Sequence, residues 1–273
     1  MVLFAGPGGD DLQASSTGRR PLRARAVLTR FQRADADLAL DGGPVTRRVP
    51  QSNRSTVMIQ EISGVSVPDS ALARKVTEFV RDTEGDLLFH HSVRVYFWGA
   101  LKGRRMGMTF DAELLYAAAM FHDIGLTGSF RDSQLRFEVD GANAARDFLR
   151  SHGLPDTDLE IVWNAIALHT TPGIPEFMRP EIALVQAGAG MDVAGRGYDE
   201  FTVAERQAVV AAAPRDPHFE HGIIDAFYEG MKHRPGSTVG TFNDDVLAYK
   251  DPQFRRIDMC SVILSSKWAA AGR

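Results

Sequence analysis

The stretch that decides the fold is AELLYAAAMFHDIG, residues 112–125. Its first ten residues are apolar on almost every side, which predicts a helix buried at the centre of a helical domain. Asp111 precedes them and is a typical N-cap residue. The helix is expected to end at His122 and Asp123, where a turn permitted by Gly125 lets an imidazole and a carboxylate converge on one cation. Nitrogen and oxygen ligands of this kind suit divalent zinc, manganese or iron.

A His-Asp dipeptide alone is weak evidence, because a histidine at a helix end followed by a capping aspartate gives the same pattern. Two further candidate ligands strengthen the metal hypothesis. A histidine pair, His90 and His91, lies on a predicted helix over Leu87–Leu101. Adjacent helix positions differ by about 100°, so only one of the two can face a metal. Asp192 lies where a later apolar helix ends among small residues.

The remaining sequence is helical in pattern nearly throughout, without period-2 strands or internal repeats. Asp69 is the expected cap of the first helix. Helices are predicted at about 71–82, 87–101, 112–123, 137–151, 158–169, 178–190, 202–212, 219–233 and 253–268. The prediction is one all-α domain over residues 58–273.

The first 57 residues differ from the rest. They contain nine Arg, five Asp, no Lys and no Glu, which gives them a formal charge of +4. Because the whole chain has a net charge of −4, residues 58–273 carry a net charge of −8. Without apolar periodicity they cannot bury enough surface to offset the entropy of ordering. We predict a disordered basic arm over residues 1–57.

Composition limits the class of protein. The 273 residues are 44% hydrophobic and 24% charged, and the net charge of −4 gives no reason to expect a nucleic-acid partner. No apolar run reaches 18 residues, so no membrane partner is expected. The single Cys260, expected to be packed in an apolar context, and the absence of a secretory signal in the first residues favour a cytoplasmic location. A homo-oligomer is compatible with these data.

The order His…His-Asp…Asp on consecutive helices resembles the HD superfamily of metal-dependent hydrolases. The resemblance covers about residues 70–265 and implies a helical bundle around a single metal site. Five segments are most similar to the cyanamide hydratase branch: HSVRVYFWG, FHDIGLTG, RFEVDGANAA, AIALHTT and QAGAGMDVAG. The implied cofactor is one divalent ion, zinc in the first place, with manganese or iron as alternatives.

The resemblance implies the ligand set. In this family the first ligand immediately precedes Ser-x-Arg, which selects His91, so the expected ligands are His91, His122, Asp123 and Asp192. Two-metal HD proteins commonly carry a histidine near the position of Glu138, and its absence here favours one metal.

Catalytic and substrate-binding roles are also implied. We expect His169 to act as a general acid or base, although a lone histidine in an apolar helix is more often a core or capping residue. Glu138 is a second catalytic candidate, and its alternative is a carboxylate stabilising a helix N-terminus. Arg94 and Thr170 are expected to bind substrate, with a structural salt bridge as the alternative for Arg94.

The activity implied by the resemblance is hydration of a nitrile by a zinc-dependent enzyme acting on a small molecule. One alternative is an HD-type phosphohydrolase acting on a nucleotide or another phosphoester. Leu126 and Thr127 replace the carboxylates that related nucleotidases and alarmone hydrolases carry just after the HD pair, which weakens that alternative. A second alternative is a non-catalytic metal-binding regulatory domain.

Overall fold

The computed structural model describes residues 61–267, and this part of the chain is helical, with a single β-bridge between Ile62 and Val65 in place of a strand. The predicted all-α fold is confirmed. The predicted arm, residues 1–57, lies outside the described residues. The helices are α1 (Ala71–Thr83), α2 (Asp86–Arg105), α3 (Ala112–Phe121), α4 (Phe137–Ser151), α5 (Asp156–Leu168), α6 (Pro180–Ala194), α7 (Val203–Ala212), α8 (Phe219–Met231), α9 (Asn243–Lys250) and α10 (Met259–Leu264).

Capping residues set two of the helix starts. The Asp111 carboxylate accepts the backbone N–H of Leu114 at 3.0 Å, as expected for the N-cap of α3. The prediction for α1 was wrong by one residue, because Ser70 is its N-cap and its Oγ accepts the N–H of Ala73 at 2.9 Å. Asp69 instead pairs with Arg74 at the surface.

The predicted helix over residues 253–268 is present but shorter, since the helix described there is Met259–Leu264. The chain forms α9 earlier, because Leu247 can pack there against the apolar side chains of α8. From residue 255 to 265 every side chain is exposed. The apolar residues of this segment therefore do not pack into the core, and packing does not stabilise a longer helix there. Cys260 lies on α10 and is exposed, in contrast to the packed position expected from its apolar neighbours.

The central position of α3 is confirmed, since every residue from Leu114 to Phe121 is buried. The helix packs against α1, α2, α5 and α6. Phe121 at its end stacks on Phe79 of α1 and packs at a tilt against Phe148 of α4, with ring centroids 5.5 and 5.4 Å away. Within residues 61–267, none of the helices has the length and apolar character needed to cross a membrane.

Two glycines allow α2 and α6 to approach closely. A Cβ on Gly99 would lie 2.6 Å from the Leu184 carbonyl oxygen, and one on Gly188 would lie 2.2 Å from that of Val95. Either distance is a steric clash with backbone that cannot yield easily. This approach brings the first half of α2, with its histidine pair, next to the end of α6.

Candidate metal centre

Three buried side chains form a compact group of potential ligands: His91 on α2, His122 at the end of α3, and Asp123 just after it. The Nε2 atoms of the two histidines are 3.1 Å apart. Asp123 Oδ2 lies 3.3 Å from His122 Nε2 and 3.6 Å from His91 Nε2. Ligand atoms about 2.0–2.1 Å from a tetrahedral zinc are about 3.3 Å from each other. The group therefore has the dimensions of a zinc site.

The helix end produces the convergence that the sequence predicts. Helix α3 stops at Phe121, His122 is its C-cap, and Asp123 leaves helical geometry with φ −105° and ψ 2°. Gly125 has a different role from the one expected, since its φ is not in the left-handed region. A Cβ there would lie 2.0 Å from the Phe137 carbonyl oxygen, so glycine is needed for the close approach of α4.

Hydrogen bonds fix the orientation of three histidine rings. His122 Nδ1 lies 2.7 Å from the Ala119 carbonyl oxygen, and His169 Nδ1 lies 2.7 Å from the Ile166 carbonyl oxygen. His91 Nδ1 lies 2.6 Å from a carboxylate oxygen of Asp192. Carbonyl and carboxylate oxygens only accept, so each Nδ1 carries the proton. Each Nε2 is thereby left to face the site, as a metal ligand or a proton carrier requires.

The Asp123 carboxylate is the best evidence that a cation belongs here. Neither of its buried oxygens accepts a hydrogen bond from any residue among 61–267. Burial raises its pKa, but His122, His169 and His91 outweigh this and hold the pKa well below its usual value. A buried carboxylate without hydrogen bonds is costly unless a cation compensates it. The residues present therefore fit a divalent metal.

Asp192 lies behind His91 and outside the group of three. Its carboxylate accepts from His91 Nδ1, from Arg94 Nε at 2.8 Å and Nη2 at 2.9 Å, and from Trp98 Nε1 at 2.9 Å. Carboxylates in this position orient metal-binding histidines and raise their basicity. In this arrangement Asp192 supports a ligand, and its own predicted role as a ligand stays a prediction.

Arg94 and His90 lie away from the centre of the site. The Arg94 guanidinium is 1% exposed, binds Asp192 and donates to the Pro214 carbonyl oxygen at 2.8 Å. This geometry favours the structural alternative over the predicted contact with substrate. His90 is half-buried, with its ring against Phe89, and it does not belong to the ligand group.

The predicted catalytic histidine does reach the group. His169, the C-cap of α5, is buried, and its Nε2 lies 3.5 Å from Asp123 Oδ1. Its ring stands perpendicular to that of His122, with centroids 4.8 Å apart. A proton on His169 Nε2 would therefore lie beside the place where a metal fits.

Glu138 is the centre of a neighbouring polar cluster. Its fully buried carboxylate accepts from Arg136 Nη2 at 2.8 Å, from Asn243 Nδ2 at 3.1 Å and from the Thr170 hydroxyl. Burial raises its pKa, but the Arg136 hydrogen bond and the nearby His169 outweigh this and lower it. Glu138 is thus an ionised acceptor that positions its neighbours, and its predicted catalytic role stays a prediction.

Arg234 is a supporting residue that the sequence analysis missed. Its guanidinium is 1% exposed and follows α8. It donates to the carbonyl oxygens of Gly125 at 2.7 Å and Leu135 at 3.0 Å, and it pairs with Asp140 of α4. Arg234 therefore ties the turn after Asp123 to the start of α4.

Glu84, the C-cap of α1, was also missed. One oxygen accepts from the Ser92 hydroxyl at 3.4 Å, and the other is buried without a hydrogen-bond partner among the residues that the structure describes. Burial, followed by the charge of Asp123, raises the pKa of this carboxyl well above its usual value. A glutamate at the end of an amphipathic helix is usually exposed, so the sequence offered no signal.

We expect Glu84→Gln to stabilise the metal-free protein at pH 8. A carboxyl whose pKa is raised on folding contributes stability below its unfolded-state pKa of 4.5, and this is lost as the pH rises through the folded-state pKa. The variant should unfold a few degrees above wild type at pH 8, and the gap should narrow at pH 5, since about 1 kcal/mol shifts the Tm by about 2–4 °C. Thermal unfolding at both pH values measures this. Glu78→Gln, at an exposed position of α1, is the matched control, and equal curves for Glu84→Gln and wild type would contradict the prediction.

Fold and site together define an all-helical protein with a buried centre suited to a divalent metal. Residues 88–210 match the family model of the HD domain. The matched region runs from α2 into α7 and contains all three members of the ligand group. No curated protein matches the chain. An HD domain indicates a metal-dependent hydrolase, and the cyanamide hydratase branch stays a prediction.

Proposed function

We propose that this protein is a metal-dependent enzyme that adds water to a small neutral molecule, with a nitrile such as cyanamide as the best candidate. The observation that carries the proposal is the position of His169, whose Nε2 lies 3.5 Å from Asp123 in the ligand group. Its other ring nitrogen is held by the Ile166 carbonyl oxygen. The site thus combines a place for a metal with an oriented proton carrier.

The chemistry divides between the cofactor and the chain. His91, His122 and Asp123 would hold the ion, and a bound zinc ion supplies Lewis acidity that lowers the pKa of water to about 7. Hydration of a nitrile joins the water oxygen to carbon and moves a proton to nitrogen. His169 Nε2 can carry this proton, and the Asp123 carboxylate beside it stabilises the charged ring.

The pairing of nearby arginines supports a neutral substrate. Arg94 is buried against Asp192, and the Arg136 guanidinium is bound to Glu138. A phosphoester carries negative charge and is usually bound by cations that are free to contact it. Arg94 is not free in that sense, and Arg136 has only its exposed edge open to a ligand.

Phosphoester hydrolysis is a second candidate because of one observation. The Arg136 side chain is 33% exposed, so it can turn one edge of its guanidinium to an anion while it holds Glu138. A non-catalytic regulatory role is less well supported, since the nitrogen and oxygen atoms of the ligand group lie together in a buried position.

A turnover screen with the zinc-loaded full chain tests the proposal. We expect conversion of cyanamide to urea and no hydrolysis across a phosphoester panel. His169→Gln should retain the metal and lower kcat by about 10²–10⁴-fold, the usual contribution of general acid–base catalysis. His152→Gln is the matched control, because His152 also caps a helix and bonds a carbonyl oxygen through Nδ1, but is exposed. Phosphoester turnover without nitrile turnover would overturn the proposal in favour of the second candidate.

A further inference from the structure

Asn243 lies after the region that matches the HD domain, and its side chain joins the polar cluster around Glu138. It is the first residue of α9 and is 2% exposed. Its Nδ2 donates to Glu138 Oε1 at 3.1 Å, next to the hydrogen bonds from Arg136 and Thr170. Asn243 is therefore held in one orientation by a carboxylate.

The orientation of this amide follows from the chemistry of its partner. Glu138 is ionised and can only accept, so the amide nitrogen must face it and the amide oxygen must point elsewhere. That oxygen, Asn243 Oδ1, is buried and has no hydrogen-bond donor among residues 61–267. A buried acceptor without a donor is costly in a folded protein, which points to a donor supplied from outside the chain.

Thr170 gives the cluster a second acceptor. Its hydroxyl donates its proton to Glu138, and Arg136 Nη2 lies 3.3 Å from its oxygen, so one lone pair remains. Thr170 directly follows His169, and the Phe137 ring beside Glu138 packs on the His169 ring with centroids 5.7 Å apart. Beside the proton carrier, Asn243 Oδ1 and the Thr170 oxygen therefore both offer open acceptor positions.

We propose that Asn243 determines substrate specificity by accepting, through Oδ1, a hydrogen bond from an N–H group of the substrate. The class selected is then small, neutral molecules with an amino or amide N–H, as distinct from nitriles that lack one. This inference rests on the proposed function, because it places the substrate in the same site, and it adds a requirement that nitrile chemistry alone does not impose.

The test compares two probes that share the nitrile and differ in N–H groups, cyanamide and dimethylcyanamide. Dissociation constants are measured by ¹³C-observed NMR on the zinc-loaded full chain before much of the ligand is converted, and turnover is measured separately. Wild type should prefer cyanamide by about tenfold, and Asn243→Ala should reduce that preference about 2–10-fold, the effect of one neutral hydrogen bond. Asn143→Ala is the control, because Asn143 is half-buried on α4 and accepts from Trp163 instead.

The outcomes separate this inference from the proposed function. An Asn243-dependent preference in binding without any turnover supports N–H recognition and counts against nitrile hydration. A preference unchanged by Asn243→Ala, equal binding of both probes, or binding of neither overturns the inference, whatever the turnover. Asn243→Ser keeps a polar group near Glu138 and replaces the alanine variant if that one does not fold.

Discussion

Replacing Asp123 by asparagine is expected to remove the metal and abolish turnover. Asp123 is the only carboxylate in the ligand group, and both of its oxygens are buried without a hydrogen bond from the described part of the chain. Changes in residues that merely support a ligand cost about 10–100-fold in metal affinity or activity, so loss of a charged ligand should cost at least that. Asparagine has nearly the same shape, so the loss would reflect charge and not packing.

Elemental analysis measures the first part of this prediction. Wild type should hold one divalent ion per chain and Asp123→Asn almost none, whereas Asp147→Asn, on the outer part of α4, should match wild type. NMR titration of the metal-free proteins provides a second readout. Burial lowers the pKa of His122, but the Asp123 carboxylate outweighs burial and raises it, so this pKa should fall in Asp123→Asn. Two ions per wild-type chain, or a fully loaded variant, would contradict the single-metal site.

The part of the site geometry that follows from the sequence is local. The ligand pair His122 and Asp123 depends on where one apolar helix ends, and this end can be recognised from consecutive residues. Helix α4 was predicted with its observed bounds, Phe137–Ser151, for the same reason. His91 needed the Ser-x-Arg context in addition, because the apolar stripe of α2 does not choose between the two histidines.

The contacts that the sequence does not predict join distant segments. Asp192 was predicted as a metal ligand, but its bond to Arg94 depends on the close approach of α2 and α6. Asn243 meets Glu138 across 105 positions in the chain, and Arg234 meets Gly125 across 109. The sequence around polar side chains of this kind does not show that they are buried, because their partners come close only when the helices pack.

The geometry of α2 gives the sharpest comparison of two variants, because His90 and His91 differ only in helical phase. His91 is 1% exposed, contributes Nε2 to the ligand group and is oriented by Asp192. His90 is half-buried and packs against Phe89. Loss of either imidazole changes composition equally, so any difference in metal content must come from position.

His91→Ala is expected to lower metal affinity by at least about 10–100-fold, and His90→Ala should be nearly silent or show at most the smaller effect of a supporting residue. The physical reason is that His91→Ala removes a ligand atom and also leaves the Asp192 carboxylate without the ring that it orients. Metal titration of both stripped proteins measures the affinities, and thermal unfolding without metal checks that each variant is folded. If His90→Ala loses the metal while His91→Ala retains it, the phase of α2 is wrong, and the ligand group, the orienting role of Asp192 and the placement of His169 beside the metal are wrong with it.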